Sequence, residues 1–257
     1  MPILTSLRAS IGRKLRPHRE VEVNSPDGLV ELAHWIERPA LRLLVPPELL
    51  RMQGGFVYGA AHPFVAALMA GVDALREFYA DCQPRTICDY YGIDGHGRAG
   101  SDLPPWEIPW YGRSKRTPPP GELELGAEHG VSFYGPVTEK KIDLEMRRLQ
   151  KISEAITQNG YDPDAFGDIQ GYILDDGTSA AFFVRGGKHR AAALTALGHS
   201  RIPVTFRSGW PRLIHSVDAG RWPLVRSGGM ENTLAKAILD VYIRGRTHGR
   251  GNDGQAT

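Results

Sequence analysis

The chain of 257 residues has few cysteines, little net charge and no long apolar run. Its two cysteines, Cys82 and Cys88, flank Gln83-Pro84-Arg85-Thr86-Ile87. That spacing is not Cys-x-x-Cys, and two thiols without histidine partners make no zinc site. A reducing cytoplasm with two free, partly buried thiols is the expectation. Apolar runs fall short of the ~18–20 residues that a membrane helix needs, and residues 1–20 lack the apolar core of a secretory signal. A formal net charge of +2 supplies no whole-chain argument for nucleic acid. His62, His96, His129 and His199 show no metal spacing such as His-x-x-x-His, so no residue is assigned as a metal ligand. No internal repeat is visible.

What is present is ordinary for a soluble globular protein. A hydrophobic content of 41% supports a real core, with 23% charged residues. The length fits one large domain, or a domain with a sizeable elaboration. The first twenty residues are unusual. Leu4, Leu7, Ile11 and Leu15 form a helical stripe, and Arg8, Arg13, Lys14, Arg16 and Arg19 precede the first acid, Glu20. A basic amphipathic segment of this kind suits weak contact with an anionic membrane surface. It also has the look of a mitochondrial presequence, and docking on its own domain is the plainer alternative.

Residues 21–60 read as short strands and turns broken by Pro46-Pro47. Pro63 stands at N1 of a helix running through Tyr79, with Phe64, Leu68, Val72, Leu75 and Tyr79 on one face. From Gly92 to Gly130 glycine and proline dominate, which predicts a long loop; Trp106, Trp110 and Tyr111 predict that part of it packs or forms a lid. Thr138 is placed to cap a helix to about Gln158, with Ile142, Leu149, Ile152 and Ile156 inward and Gly160 ending it. Strands at 169–174 and 180–184 are joined by Asp175-Asp176-Gly177, a hairpin-type turn. A strand over 201–207 and a helix over 232–244 follow, and 246–257 reads as a flexible tail.

The stretch with the most chemistry is Phe182-Phe183-Val184-Arg185-Gly186-Gly187-Lys188-His189-Arg190. It predicts a strand that stops at two glycines and turns into an alanine-rich helix closed by Gly198. Gly186 and Gly187 let bare N–H groups approach a ligand, and the helix start offers unsatisfied donors and partial positive charge. Lys188, His189 and Arg190 add side-chain donors in that first turn. The pattern suits a phosphate chain. Carboxylates able to hold magnesium or act as a base are Glu139, Asp143 and Glu145, and Glu145 shares a helical face with Arg148, with a surface i,i+3 pair as the plainer reading. Asp175 and Asp176 read as turn residues. His129, beside Gly130, falls in a plausible site loop, with a structural or solvated role as the alternative.

The segment resembles the ParB/sulfiredoxin superfamily. That signature is a strand, then Gly-x-His-Arg or Gly-x-Arg-Arg, an alanine-rich helix, Leu-Gly and Ile-Pro-Val. The matching residues are Gly186, Gly187, His189, Arg190, Ala192, Ala193, Leu197, Gly198, Ile202, Pro203 and Val204, with a looser likeness upstream to about residue 136. The resemblance implies an α/β (α+β) fold: a ParB/sulfiredoxin-like core over 131–245, with a small mixed sheet flanked by helices, and an N-terminal elaboration over 21–130. It implies binding of ATP (or ADP or CTP), with Mg2+ as a candidate companion, by Gly186, Gly187, Lys188, His189 and Arg190. Free-serine kinases of the superfamily use a glutamate upstream of an Arg-Leu pair as base, which makes Glu145 or Glu139, with Arg148, the candidate catalytic set. Lys188 stands where sulfiredoxin needs its nucleophilic cysteine, which argues against reductase chemistry. Only about fifty residues follow Val204, with one convincing helix, so the helix-turn-helix of partition proteins, and sequence-specific DNA binding with it, is not expected. The implied function is a nucleotide-dependent phosphotransferase (a small-molecule kinase) or NTPase acting on an unidentified acceptor. The alternative is a CTP- or ATP-sensing module, or a DNA-associated switch, without phosphotransfer.

Overall fold

A computed structural model describes residues 19–34, 41–111 and 125–248. The basic stripe of residues 1–18, residues 112–124 of the Gly/Pro-rich stretch and the chain beyond 248 lie outside the described residues, and so does the expectation of membrane contact. Among the described residues no helix is long and apolar enough to cross a membrane.

The fold is mixed α/β and is organised around one hairpin. Strands β4 (Ile169–Asp175) and β5 (Ala180–Gly186) pair antiparallel. The turn between them is the one expected from Asp175-Asp176-Gly177. Asp175 Oδ1 accepts from Gly177 N at 2.7 Å, and Asp176 Oδ1 accepts from Thr178 N at 2.7 Å and Ser179 N at 2.8 Å. Both strands carry consecutive buried residues, a pattern that requires cover on both faces. Gly171 sits where the β4–β5 register shifts, and a Cβ there would lie 1.9 Å from the Phe183 carbonyl oxygen. Only glycine permits the two backbones to approach that closely.

The first half of the chain supplies strands to the same sheet. In chain order these are β1 (Arg19–Glu22), β2 (Leu41–Val45) and β3 (Leu50–Arg51), and after the hairpin come β6 (Ile202–Phe206) and β7 (Leu213–His215). The seven-stranded order is β1-β2-β6-β4-β5-β3, with β7 continuing beside β4 beyond β6. Parallel and antiparallel pairs alternate along it. The first part of the chain, expected as an elaboration on the core, thus places strands at both ends of the same sheet.

Helix α1 (Pro26–Ala33) is capped by Ser25 and packs on β5 and β4. The helix expected over 63–79 is two helices, α2 (Pro63–Ala70) and α3 (Val72–Asp81), broken at Gly71, whose φ of 98° no helix interior adopts. Pro63 does occupy the first turn of α2. A Thr86/Asp89 capping box starts α4 (Ile87–Tyr91). The central helix α5 (Glu139–Asn159) follows Thr138 and ends at Gly160, as expected, but the Thr138 hydroxyl bonds His129 Nδ1 at 2.7 Å rather than capping the helix. A short α6 (Pro163–Phe166), the alanine-rich α7 (Lys188–Ala196), a short α8 (Pro223–Arg226) and α9 (Asn232–Arg244) complete the set.

The aromatic residues expected to pack do so. Trp110 is buried, its indole N–H donates to Tyr172 Oη at 2.9 Å, and its ring meets Trp222 and Tyr242 edge-on. Cys82 is half-buried and Cys88 buried, neither is in a disulfide, and burial pushes both thiols up, Cys82 to about 11. At the start of the tail expected over 246–257, Arg246 is held in place: its N donates to Gly55 O at 2.8 Å and its carbonyl accepts from Val57 N at 3.0 Å; residues 249–257 lie outside the described residues.

Arg51 locks the β3 edge to the end of α9. Its buried guanidinium donates to Tyr242 O at 2.6 Å, Ile243 O at 3.0 Å, Glu48 O at 2.5 Å and Leu50 O at 3.1 Å. These include carbonyls of the last turn of α9, which have no partner within the helix. Burial lowers the guanidinium pKa to about 10. Arg51→Met should destabilise the protein by about 3 kcal/mol in urea unfolding, because it strands several buried acceptors at once; a loss under about 1 kcal/mol would contradict this role.

Candidate functional site

The strand-to-helix turn forms as its residues dictate. β5 ends at Gly186, and Gly187 takes the left-handed conformation at φ 81° as the residue preceding α7. A Cβ on Gly187 would also crowd Ile169 at 3.1 Å, whereas one on Gly186 would meet only ordinary contact. Of the two glycines, Gly187 is the one the geometry demands. No side chain caps the start of α7. The first-turn N–H groups of Lys188, His189 and Arg190 thus face outward in the manner of an anion site.

Beneath this turn lies a buried carboxylate. Glu145, in the second turn of α5, is fully buried. Its Oε1 accepts from Ser132 Oγ at 2.6 Å and from Lys141 Nζ at 2.8 Å, with Arg148 Nη1 at 4.0 Å. Its Oε2 is bonded to His189 Nε2. Lys141 is itself fully buried, one helical turn before Glu145. Burial alone would push the Glu145 carboxyl up. The His189 hydrogen bond and the positive charges of Lys188 and Lys141 outweigh it and hold the carboxyl well below the usual range. Burial and the charges of Lys188 and Arg148 lower the His189 pKa, against the opposing pull of Glu145. The pair at neutral pH is therefore a carboxylate and a neutral imidazole. Nε2–H donates to Glu145, which leaves Nδ1 as the ring's acceptor.

An aromatic column holds the imidazole from the other side. His189 stacks on Phe64 at 5.1 Å and 15°, Phe64 meets His62 edge-on at 5.7 Å, and His62 stacks on Tyr58 at 4.2 Å. His62 Nδ1 accepts from Phe64 N at 3.2 Å and caps α2. Burial, with His189 nearby, lowers the His62 pKa to about 3. Lys188 Nζ lies 4.4 Å from the Phe133 ring centre and 5.7 Å from that of Phe64.

A cleft of about 600 Å³ opens over the turn. Its floor is Gly187, Lys188, His189 and Arg190; one wall is the apolar stripe Ile152, Ala155 and Ile156 of α5, and Phe133, Tyr161 and Phe166 close the sides. Lys151 and Arg185 stand at its edge. This combination of a polar, cationic floor with an apolar wall is the usual make-up of a pocket for an organic anion.

The candidate residues of the sequence fall into three groups. Gly187, Lys188 and His189 line the cleft, and Gly186 is not among its lining residues. Arg190 lines it too, but its guanidinium donates to the carbonyls of Phe166, Gly167 (2.5 Å) and Asp168 (3.3 Å), so it tethers the α6–β4 connection rather than standing open as a phosphate fork. Glu145 and Arg148 are brought under the turn, with Glu145 sequestered instead of forming a surface pair. Glu139 is directed elsewhere: it is exposed and paired with Arg76 of α3 at 3.1 Å. His129 pairs with Thr138 and Glu128. Among the described residues no group of three or more His, Cys, Asp or Glu side chains could hold a metal ion. Sequence reading missed Lys141, Ser132, Phe64 and the α5 wall. The Lys141/Glu145 i,i+4 spacing and the Ile152/Ala155/Ile156 spacing carried a signal; Phe64 and Ser132, remote in sequence, carried none.

Comparison with protein-family models and with curated proteins finds no match for this chain.

Two outcomes test the buried network. Glu145→Gln should destabilise the protein by about 3–5 kcal/mol at pH 7, because the buried Lys141–Glu145 pair is broken in the interior. Adding Lys141→Met to that variant should restore much of the loss in the same denaturation assay; equal losses in the single and double variants would refute the pairing. His62 fixes a pH dependence. Its folded pKa lies below its unfolded value, so the unfolded state binds the extra proton and stability falls as pH drops below ~6.5 toward about 3. His62 should make the protein about 2 kcal/mol less stable at pH 5 than at pH 7, and His62→Phe should flatten that part of the curve. An unchanged slope would show that His62 is not buried in its neutral form.

Proposed function

We propose that the protein binds a nucleotide in this cleft and acts on its phosphates. The observation that carries the reading is that the largely apolar cleft opens directly onto the first turn of α7, where Gly187, Lys188, His189 and Arg190 meet. The residues fit ATP, ADP or CTP. Amides of the α7 first turn and Lys188 would hold phosphate oxygens, and Ile152, Ala155, Ile156, Tyr161 and Phe166 would receive the base and sugar. The likeness of the Gly-Gly-Lys-His-Arg segment to the ParB/sulfiredoxin superfamily supports the same assignment.

The chemistry that this chain can supply is proton handling and charge stabilisation. Glu145 positions His189 and keeps Nδ1 as the acceptor, so His189 would take the proton of an acceptor hydroxyl or of water. Lys188 and the helix start would stabilise charge that develops on the phosphoryl oxygens. The base is thus His189, with Glu145 and Lys141 as positioning residues; Glu139 is too occupied with Arg76 to serve. Mg2+, if used, would arrive on the phosphates, because no carboxylate is among the described residues that line the cleft. The same observation favours a second reading, a nucleotide-sensing module in which binding alters conformation and nothing is transferred.

Binding and phosphate release measured on one sample separate the two. For phosphoryl transfer, His189→Ala should lower turnover by about 10²-fold or more while nucleotide affinity changes far less. The acid limb of the wild-type rate should be displaced to lower pH than an ordinary imidazole would give, since burial and the nearby charges of Lys188 and Arg148 lower the His189 pKa. Tight binding without release across candidate acceptors would establish the sensor. Absence of binding by any nucleoside di- or triphosphate would refute both.

A further inference from the structure

The cleft has a second cationic feature, distinct from the α7 turn. Arg185, near the end of β5, is exposed and lines the cleft edge. Its guanidinium lies 5.8 Å from the ring centre of Trp210 and 5.7 Å from that of Tyr111. Arg207, immediately after β6, is also exposed and lies 4.7 Å from the same Trp210 ring. β5 and β6 flank β4 on opposite sides, and Gly186 pairs with Gln170 while Phe206 pairs with Gly171. The two arginines therefore emerge from adjacent rows at one end of the sheet.

The platform between them is fixed. Trp210 lies nearly parallel to Tyr172 at 6.1 Å and 22°, and edge-on to Tyr111 at 4.9 Å. Its backbone N–H closes a turn on Arg207 O at 3.2 Å. Among the described residues neither Arg185 nor Arg207 has a side-chain hydrogen bond or an ion pair; their side-chain partners are aromatic rings. A guanidinium laid on a ring is held in place while its N–H edge remains open to an oxyanion. Two guanidinium groups close to one indole concentrate positive charge there, which favours an anion beside them.

We infer that Arg185 and Arg207, with Trp210 as their platform, form a second anion subsite at the cleft edge, and that it takes a phosphate other than those on the α7 turn. Arg185 lines the same cleft as the α7 turn and precedes Gly187 by two residues, about 7 Å of strand, so the two subsites adjoin. The second phosphate belongs either to the nucleotide itself, as in a nucleoside 3′,5′-bisphosphate, or to a separate phosphorylated acceptor. The inference rests on the nucleotide reading for what occupies the rest of the cleft, but the subsite has its own readout.

Calorimetry with adenosine 3′,5′-bisphosphate and adenosine 5′-monophosphate tests the first source. The bisphosphate should bind about tenfold or more tightly in the wild type, and the ratio should collapse toward one in Arg185→Gln/Arg207→Gln. Inorganic phosphate titrated into ADP-saturated protein tests the second, with binding again lost in the double variant. Indole fluorescence titrated with inorganic pyrophosphate, in the absence of nucleotide, reads the subsite alone; the response should vanish in the double variant and in Trp210→Phe. If pyrophosphate gives that response while no nucleotide binds, the nucleotide reading falls and the subsite stands. If Arg185→Gln/Arg207→Gln changes none of the three measurements, the subsite is overturned, whatever happens at the α7 turn.

Discussion

The buried Glu145 carboxylate is the constraint on which the rest of the site depends. An ionised carboxyl out of contact with water is tolerated only where donors surround it, and here the donors come from three places in the chain. Lys141 comes from its own helix, Ser132 from the preceding loop, and His189 from the turn that starts α7, with the charge of Arg148 4.0 Å away. Meeting that one electrostatic requirement sets the depth of α5, the orientation of the imidazole and the placement of residues 132–134 together. The tautomer of His189 follows from it as well.

How far the sequence disclosed this is uneven, for physical reasons. The β4–β5 hairpin, α5, α7 and α9 were legible because each is local: periodicity, a turn that needs Asp and Gly, and a closing glycine lie within a few residues of each other. The break at Gly71 was concealed because the apolar face continues across it from Phe64 to Tyr79, so periodicity reports one helix where the backbone makes two. Glu145 was visible as an acid on a helix. Its burial was not, because that depends on Ser132 and His189 arriving from elsewhere. Arg190 shows the converse: a basic residue at a helix start reads as a phosphate donor, yet three backbone carbonyls from residues 166–168 claim it first. The role of the N-terminal half was the least legible, since strands as short as Leu50–Arg51 have meaning only beside β5.

The cleft divides its labour between rigid and adaptable parts. The floor is set by a left-handed glycine, a helix start and a buried ion network, none of which can shift without losing hydrogen bonds. The wall is made of aliphatic side chains on one face of α5, which discriminate by shape alone. On the proposed reading, such a site would fix where an anionic group goes and leave the identity of the organic part to contacts that are individually weak.

The order of the strands has a consequence for how the chain is made. β2 hydrogen-bonds to β6 and β3 to β5, and each of those partners lies more than a hundred residues later in the sequence. The early strands therefore leave the ribosome long before the surfaces they must cover exist. They cannot acquire native structure until the β4–β5 hairpin and β6 have emerged. A nascent chain stopped before residue 180 would hold β2 without β6 and β3 without β5, and so would expose their edges as unpaired, aggregation-prone backbone.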